Sequence, residues 1–259
     1  MPELRVDVAG QVATLTIDNP GRRNALTGAM WDGFAPLLAE LAADDEVAAL
    51  VVRGAGDDFS AGADIRDLDQ ILRDPGAGDG GHVTAGERAL AAFPKPTIAA
   101  IDGYCVGGGW ELASACDIRL ASARSTFGVT PARLGILYPL TGMTRLVQLA
   151  GPAAAKHLIL SGELVDAETA ARWGMVSRVL PTADFWPSIA SFVETLVSRS
   201  RLTQQASKEL IDLIADRDPA LADRAAFWDA EVASSGQAAL GAAAFLAKQA
   251  PAFTWRGIP

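Results

Sequence analysis

The sequence predicts an α/β fold over its first two-thirds, followed by a C-terminal region made of helices. Short apolar, β-prone runs alternate with helical segments as far as residue 180. Long amphipathic helical patterns follow, and no polar linker of the length that would separate two independent domains interrupts the sequence. We therefore expect one α/β core with a helical tail.

The composition is typical of a globular protein that can bury a large core. Half of the 259 residues are apolar and 20% are charged. The formal net charge of −9 argues against general nucleic-acid binding, which requires clustered positive charge. Neither a signal-peptide pattern nor an apolar run of membrane-spanning length is present, and two cysteines with two histidines make no metal-binding spacing. We expect a cytoplasmic protein without a metal or a membrane partner.

Apolar periodicity and turn residues predict the elements before residue 94. Alternation around Ala9-Gly10 is typical of a β-hairpin, and Thr27 is the expected N-cap of the first helix. The expected elements are a hairpin (4–18), a helix (27–43), a strand (48–52), a helix (66–72), a mobile loop (74–81) and a helix (84–93).

The most informative stretch is a buried strand that leads to three glycines. Residues 98–101 are apolar and β-prone, and Gly107, Gly108 and Gly109 open a predicted helix. Free N–H groups at a helix start can bind a phosphate or polarise a carbonyl oxygen. The spacing fits neither G-x-G-x-x-G nor a P-loop. Glu111, in the first helical turn, is either a partner of the helix dipole or an acid/base group.

Helical patterns dominate the second half of the sequence. Gly151-Pro152 and Gly174 are expected helix stops. The expected elements are strands at 117–121, 126–129 and 176–180, and helices at 143–150, 153–161, 167–173, 184–199, 202–215, 220–234 and 237–249.

Two glycine turns stand in comparable contexts, Ser-Ala-Gly-Ala-Asp-Ile at 60–65 and Gly-Gly-Gly-Trp-Glu-Leu at 107–112. Further motifs keep a consistent order around them, and they lie at residues 19–26, 93–100, 116–119, 127–128, 161–179 and 244–248. Together these motifs resemble the crotonase (enoyl-CoA hydratase/isomerase) superfamily, and the resemblance covers nearly the whole chain.

The resemblance implies a crotonase-like spiral of ββα turns over residues 1–195 and a C-terminal helical trimerisation region over residues 196–259. Similar proteins form homotrimers, often paired into hexamers. Their ligand is an acyl-CoA thioester, so coenzyme A enters as part of the substrate and no separate cofactor is implied. The thioester oxygen would lie between the backbone N–H groups of Ala63 and Gly108.

The resemblance also implies a set of residues that contact the substrate. Basic side chains would bind the coenzyme A phosphates, with Lys248 reaching the site from a neighbouring subunit. The residues assigned to substrate or coenzyme A binding are Arg22, Arg23, Ala61, Asp64, Ile65, Arg66, Trp110, Pro131 and Lys248. Trp110 is interpreted as a wall of the acyl pocket or as a core residue.

The chemistry implied by the resemblance depends on Glu111, which matches the first of two hydratase glutamates. Pro131 stands where the second would be, so the usual two-glutamate hydration is in doubt. The resemblance then implies an enoyl-CoA hydratase/isomerase-like enzyme in which Glu111 is the single acid/base group. As an alternative, residues 130–138 resemble methylmalonyl-CoA decarboxylases, which carry a tyrosine where Tyr138 falls. Such decarboxylases can have a histidine in place of Ala63. A non-catalytic acyl-CoA-binding subunit is the third possibility.

Overall fold

Two β-sheets carry the α/β part of the chain in this computed structural model, which describes residues 1–72 and 81–257. The strands are β1 (Glu3–Ala9), β2 (Val12–Asp18), β3 (Ala49–Gly54), β4 (Thr97–Ile101), β5 (Tyr104–Val106), β6 (Ile118–Ser122), β7 (Thr126–Gly128), β8 (Leu164–Asp166) and β9 (Arg178–Leu180). The larger sheet has the order β1-β2-β3-β4-β6-β9, and the smaller has the order β5-β7-β8.

Helices connect the strands and form the C-terminal region. They are α1 (Gly28–Ala43), α2 (Leu68–Leu72), α3 (Gly81–Ala91), α4 (Gly108–Ala115), α5 (Pro131–Leu134), α6 (Leu140–Ser161), α7 (Ala167–Arg172), α8 (Phe185–Val197), α9 (Arg201–Asp216), α10 (Leu221–Ser235) and α11 (Gln237–Leu246). Single 3-10 turns precede α2 and α8, at Ile65–Asp67 and Thr182–Asp184.

Strand pairing in the larger sheet is parallel except in the first hairpin. β1 and β2 are antiparallel, with Glu3 opposite Asp18, whereas β2–β3, β3–β4, β4–β6 and β6–β9 are parallel pairs. Parallel neighbours require crossover connections, and helices supply most of them here. The α/β class predicted from the sequence is therefore confirmed.

Both faces of the larger sheet are covered, because successive side chains of a strand point to opposite faces. Leu50 and Val52 of β3 lie in the same core cluster as Trp31 and Phe34 of α1. The alternate β3 residues Ala49 and Val51 lie in a second cluster with Phe185, Ile189 and Val193 of α8. Burial on both faces explains why these strands are continuously apolar in sequence.

Most of the predicted elements are confirmed, with shifted ends. The hairpin is present, and Thr27 Oγ1 accepts a hydrogen bond from Met30 N as the N-cap of α1. Gly151 breaks the helical geometry of α6 with φ +75°, at the predicted stop. Of the loop expected at 74–81, residues 74–80 lie outside the described residues, and Gly81 begins α3. Strands β5 and β8 and helix α5 were not predicted, because they have only three or four residues and show no periodicity of their own.

Helix α8 spans residues 195 and 196, where the sequence suggested a division between core and C-terminal region. It packs on the sheet through Phe185, Ile189 and Val193. The helices after it form a separate cluster around Leu202 and Trp228. A trimerisation role for residues 196–259 stays a prediction.

Residues 1–72 and 81–257 contain neither a membrane-spanning helix nor a cluster of metal-ligating side chains. None of the helices in residues 1–72 and 81–257 has the length and apolarity needed to cross a membrane. In the same ranges, no three metal-ligating side chains form a cluster. Cys105 and Cys116 are buried, and burial raises the pKa of the Cys116 thiol to about 12. A thiol with so high a pKa is a poor nucleophile at neutral pH.

Candidate active site

The two glycine turns singled out in the sequence are joined by backbone hydrogen bonds. Ser60 N donates to Tyr104 O at 2.8 Å, and Val106 N donates to Ser60 O at 3.0 Å. These bonds form a parallel bridge between Ser60 and Cys105. The bridge aligns the turn that follows Ser60 with the turn that follows β5.

The turns approach each other more closely than side chains would allow. A Cβ atom at Gly62 would lie 2.8 Å from Val106 O, and one at Gly109 would lie 2.5 Å from Ser60 O. Gly107 has φ +56°, in the region that favours glycine. Glycine is therefore required here for close backbone contact.

The geometry around Ala63 directs its N–H toward the second turn. Leu26 N donates to Gly62 O, and Asp64 N donates to Leu26 O, both at 2.8 Å. Because successive peptide groups of an extended chain point to opposite sides, the Ala63 N–H faces away from Leu26. On that other side, a Cβ atom at Gly108 would lie only 3.2 Å from Ala63 N.

Both N–H groups are available to a ligand. Gly108 is the first residue of α4, whose internal bonding starts where Glu111 N donates to Gly107 O, so its N–H has no helical acceptor. Within the described residues, neither Ala63 N nor Gly108 N donates a hydrogen bond. The predicted pair of donors is thus brought together in the structure.

Hydrogen bonds from Asn24 stabilise the turn at 60–63, a role that was not predicted from the sequence. Its side-chain Nδ2 donates to Asp58 O at 2.6 Å and to Ala55 O at 2.8 Å. Its backbone oxygen accepts from Ser60 Oγ at 2.8 Å, and Ser60 Oγ accepts from Gly62 N at 3.1 Å. Asn24 has φ +57°, which asparagine tolerates better than most residues.

A cavity of about 190 Å³ lies beside Ala63 and Gly108. Its apolar walls include Ile65, Leu68, Leu72, Val83, Leu134 and Ile136. Glu111 also lines the cavity, and its side chain is buried. Since Glu111 follows Gly108 by three residues, both lie on the same side of α4. Among the described residues that line the cavity, Glu111 is the one carboxylate.

Tyr138 lines the same cavity and is buried. Its hydroxyl donates to Gly107 O at 3.0 Å. Burial, reinforced by the neighbouring Glu111 charge, raises the pKa of Tyr138 well above its usual value of 10. The phenol is therefore protonated at neutral pH, so it acts as a donor and not as a base.

Gly142 of α6 touches both of these side chains, and the sequence analysis did not single it out. A Cβ atom there would lie 2.8 Å from Glu111 Oε1 and 2.7 Å from Tyr138 Cε1. Glycine allows α6 to approach the cavity at this point. Gly142 lies just before the helix predicted at 143–150, and no sequence pattern indicated its contact with Glu111 and Tyr138.

Pro131 lies at the first position of α5 and lines the cavity, as its alignment with the second hydratase glutamate led us to expect. Proline carries no group that transfers protons. Ala61 and Ile65 also line the cavity.

Trp110 is a core residue, the second of the two interpretations predicted for it, and its assignment to substrate binding finds no support in the cavity lining. It is fully buried, is not among the residues that line the cavity, and packs edge-on against Phe127 with ring centroids 6.2 Å apart. Neighbouring residues of a helix point about 100° apart. Trp110 therefore faces the core when Glu111 faces the cavity.

The basic residues assigned to coenzyme A are exposed, and their role stays a prediction. Arg23 stacks over the Tyr104 ring at 4.3 Å. Arg22 lies close enough to Asp64 to lower the pKa of that carboxyl slightly. Lys248 follows α11 on the surface, outside the cavity.

Asp64 is buried and bound by the exposed side chain of Arg66. Arg66 Nε donates to Asp64 Oδ1 at 3.0 Å, and Arg66 Nη2 lies 2.5 Å from Asp64 Oδ2. These contacts lower the pKa of Asp64 to about 2. Asp64 also caps the following 3-10 turn by accepting from Arg66 N. Its observed contacts support the turn that carries Ala63.

Comparison with known proteins identifies similar chains over the whole length. The family model described as enoyl-CoA hydratase/isomerase matches residues 7–256. A probable enoyl-CoA hydratase of Mycobacterium leprae is 35% identical over 254 residues, which cover 97% of each chain. A short-chain-enoyl-CoA hydratase of Clostridium acetobutylicum is 34% identical over 216 residues, 82% of this chain and 83% of that protein.

A solved structure is also similar over the length of this chain. The crystal structure of an enoyl-CoA hydratase/isomerase family member superposes with a TM-score of 0.95 at 39% identity. The match covers 100% of this chain and 98% of that chain.

Asp64→Asn should destabilise the protein at neutral pH, because the substitution removes the charge that binds Arg66. The folded-state pKa of Asp64 is about 2, below that of an unfolded aspartate. The stability gained from this charge is therefore complete above about pH 4 and is lost as the pH falls through 2. Urea unfolding at several pH values should show a gap between wild type and variant that narrows on acidification. A gap of constant size would contradict this account. Asp7→Asn, at an exposed strand position, is the control.

Proposed function

Since the chain belongs to the enoyl-CoA hydratase/isomerase family, we propose that it acts on the acyl group of a coenzyme A thioester through an enolate. Membership also confirms the crotonase-like fold predicted from the motifs. The observation that carries the proposal is the pair of available N–H groups, Ala63 and Gly108, on the wall of a cavity that contains Glu111.

The two N–H groups are suited to an oxygen that gains negative charge during the reaction. The thioester carbonyl oxygen would accept from both donors, and the bonds would strengthen as the enolate forms. Gly108 lies at the N-terminus of α4, where the helix dipole favours negative charge. Close packing of the two turns fixes both donors before the substrate arrives, so little reorganisation is needed.

Glu111 is the proposed acid/base group. Its carboxylate would take a proton from the carbon next to the thioester carbonyl, and the electron pair of that C–H bond would pass to the carbonyl oxygen as the enolate. With a 3-enoyl thioester, return of the same proton to the far end of the dienolate moves the double bond. One carboxylate is sufficient for this isomerisation.

Pro131 supports chemistry with a single carboxylate. Hydration in a site with one glutamate requires Glu111 both to activate water and to deliver the proton to carbon. The similarity to proteins named as hydratases supports hydration, and the lack of a second carboxylate among the described cavity residues supports isomerisation. Both reactions use the same enolate and the same two donors.

The position of Tyr138 supports decarboxylation of a malonyl-type thioester as the second candidate. Loss of carbon dioxide breaks a carbon–carbon bond and leaves the electron pair as an enolate, which the same N–H groups would stabilise. A proton donor must then protonate the carbon. The protonated Tyr138 hydroxyl, which lines the cavity beside Glu111, supports that role.

A substrate panel distinguishes these reactions. Purified protein is offered crotonyl-CoA, a 3-enoyl-CoA and methylmalonyl-CoA separately. Loss of the conjugated absorbance identifies hydration, its appearance identifies isomerisation, and carbon dioxide release identifies decarboxylation. Coenzyme A binding without turnover of any of the three would overturn the proposal in favour of the non-catalytic binding subunit.

Exposed apolar side chains on the C-terminal helices support the proposed homotrimer or hexamer. Ile211 and Ile214 of α9 are 62% and 60% exposed, and Phe245 and Leu246 of α11 are 83% and 81% exposed. Residues of this kind gain from burial against another subunit. Lys248 follows directly after this surface, which supports its proposed contact with the coenzyme A of a neighbouring subunit.

Glu111→Gln should lower kcat by about 10²–10⁴-fold, because the amide keeps the shape of the side chain but cannot take up a proton. KM should change little. Steady-state kinetics with the preferred thioester measure both values, and Glu168→Gln, on the surface of α7, is the matched control. Full activity of Glu111→Gln would exclude Glu111 as the acid/base group.

Gly108→Pro should lower kcat by about 10²–10³-fold, because it removes one of the two N–H donors. Loss of one such donor typically costs about 2.7–4 kcal/mol of transition-state stabilisation. Because a Cβ at Gly108 would lie 2.9 Å from Trp31 Cζ2, Gly108→Ala is needed as a control that keeps the N–H but adds the methyl group. Equal kcat values for the two variants would show that the N–H itself is not required.

A further inference from the structure

Glu87 of α3 is a buried carboxylate that does not line the cavity. Its side chain has 0% exposure, and its Oε1 accepts a hydrogen bond from Arg145 Nε of α6. Its Oε2 is buried and has no hydrogen-bond partner in the part of the chain that the structure describes. A buried charge that is only partly satisfied is costly. Such groups often occur at functional sites.

Glu87 lies one helical turn from the cavity. Val83, four residues earlier on the same face of α3, lines the cavity. Between them, Thr84 Oγ1 lies 3.5 Å from Thr141 Oγ1 of α6. Arg145 is one turn after Thr141, so the Thr84–Thr141 and Glu87–Arg145 contacts follow each other along the two helices.

These contacts hold the segment of α6 that touches the proposed catalytic groups. Gly142 follows Thr141 directly and precedes Arg145 by three residues. A Cβ atom at Gly142 would collide with Glu111 and Tyr138, so the backbone of α6 lies directly against both side chains. A shift of α6 relative to α3 would therefore change the packing around both side chains.

The charge of Glu87 also reaches Tyr138. Burial is the largest cause of the raised pKa of Tyr138, and charge repulsion comes from Glu111 on α4, Cys105 on β5 and Glu87 on α3. Arg145 on α6 opposes the last of these through its contact with one Glu87 oxygen. Glu87 thus acts on Tyr138 without lining the cavity.

We propose that Glu87, held by Arg145, is a positioning residue that fixes α6 against Glu111 and Tyr138 and sets the electrostatic environment of the Tyr138 hydroxyl. The inference rests on the proposed function, because it assigns Glu87 a role in preparing the same site for proton transfer. It adds Glu87 and Arg145, which do not contact the substrate, to the residues that prepare the site for proton transfer.

Kinetics test the positioning role. Glu87→Gln keeps the size of the side chain and an acceptor for Arg145 but removes the charge. It should lower kcat by about tenfold to a hundredfold with a nearly unchanged KM, because small displacements of reacting groups have effects of this size. Glu209→Gln is the matched control, since Glu209 binds Arg224 through Nε in the C-terminal helices. Wild-type kcat in a folded Glu87→Gln protein would overturn the inference.

A second measurement does not depend on turnover. The chain has two tyrosines, so Tyr104→Phe leaves Tyr138 alone. Incorporated 3-fluorotyrosine, whose phenol is more acidic than that of tyrosine, then reports the titration of this position by ¹⁹F NMR. In this background Glu87→Gln should lower the titration midpoint, because a negative neighbour is removed. Arg145→Gln should raise it, because the Glu87 charge is no longer opposed.

The two measurements separate the possible failures. If the wild type turns over none of the thioesters, the proposed function fails, and the titration alone decides the role of Glu87. If the wild type is active but the midpoint is the same in Glu87→Gln, Arg145→Gln and the parent, the inference about Glu87 is wrong and the proposed function stands.

Discussion

Direct backbone contact between the turns at 60–63 and 106–109 is the constraint on which the site depends. Hydrogen bonds between Ser60 and the strand residues Tyr104 and Val106 set the alignment, and glycines at 62 and 109 remove the atoms that would keep the turns apart. The spacing of the two free N–H groups is therefore a property of the main chain. Side chains enter only as supports, so the donors are rigid in the way that charge stabilisation requires.

The side chains that stabilise the two turns come from different parts of the chain. Asn24 holds the first turn from the loop before α1, and Tyr138 holds the second by donating to Gly107 O. Gly142 brings α6 against Tyr138 and Glu111. Glu111 and the Gly108 donor thus share the start of α4, Ala63 lies on the facing turn, and the neighbouring elements limit how far these groups can move.

The sequence was sufficient to predict the parts of the site that depend on local patterns. The helix start at 107–109 indicated exposed main-chain donors, and Glu111 was a candidate from its place in the first turn, whereas Ala63 was assigned only through the resemblance to the crotonase superfamily. The directions of side chains were harder to predict. Trp110 and Glu111 are adjacent, and only the packing of α4 decides which of them faces the core. Gly142 of α6 packs against Glu111 of α4, and Glu87 of α3 binds Arg145 of α6. Both contacts join helices that are distant in sequence, so no local pattern predicts them. Strands as short as β5 cannot show the alternation of apolar and polar residues that predicts a strand.

The pairing of Leu26 with Ala63 and of Ser60 with Cys105 has a consequence for folding. Each bridge joins segments that are roughly 40 residues apart in sequence. Such non-local contacts form slowly, because the entropy of loop closure is lost before the contact stabilises the chain. The pair of N–H donors cannot exist in a chain that has formed only its helices and hairpin. Ligand-binding competence should therefore appear late in folding, together with the parallel strand pairing, and a partly folded chain would expose the glycine turns without the geometry that makes them a site.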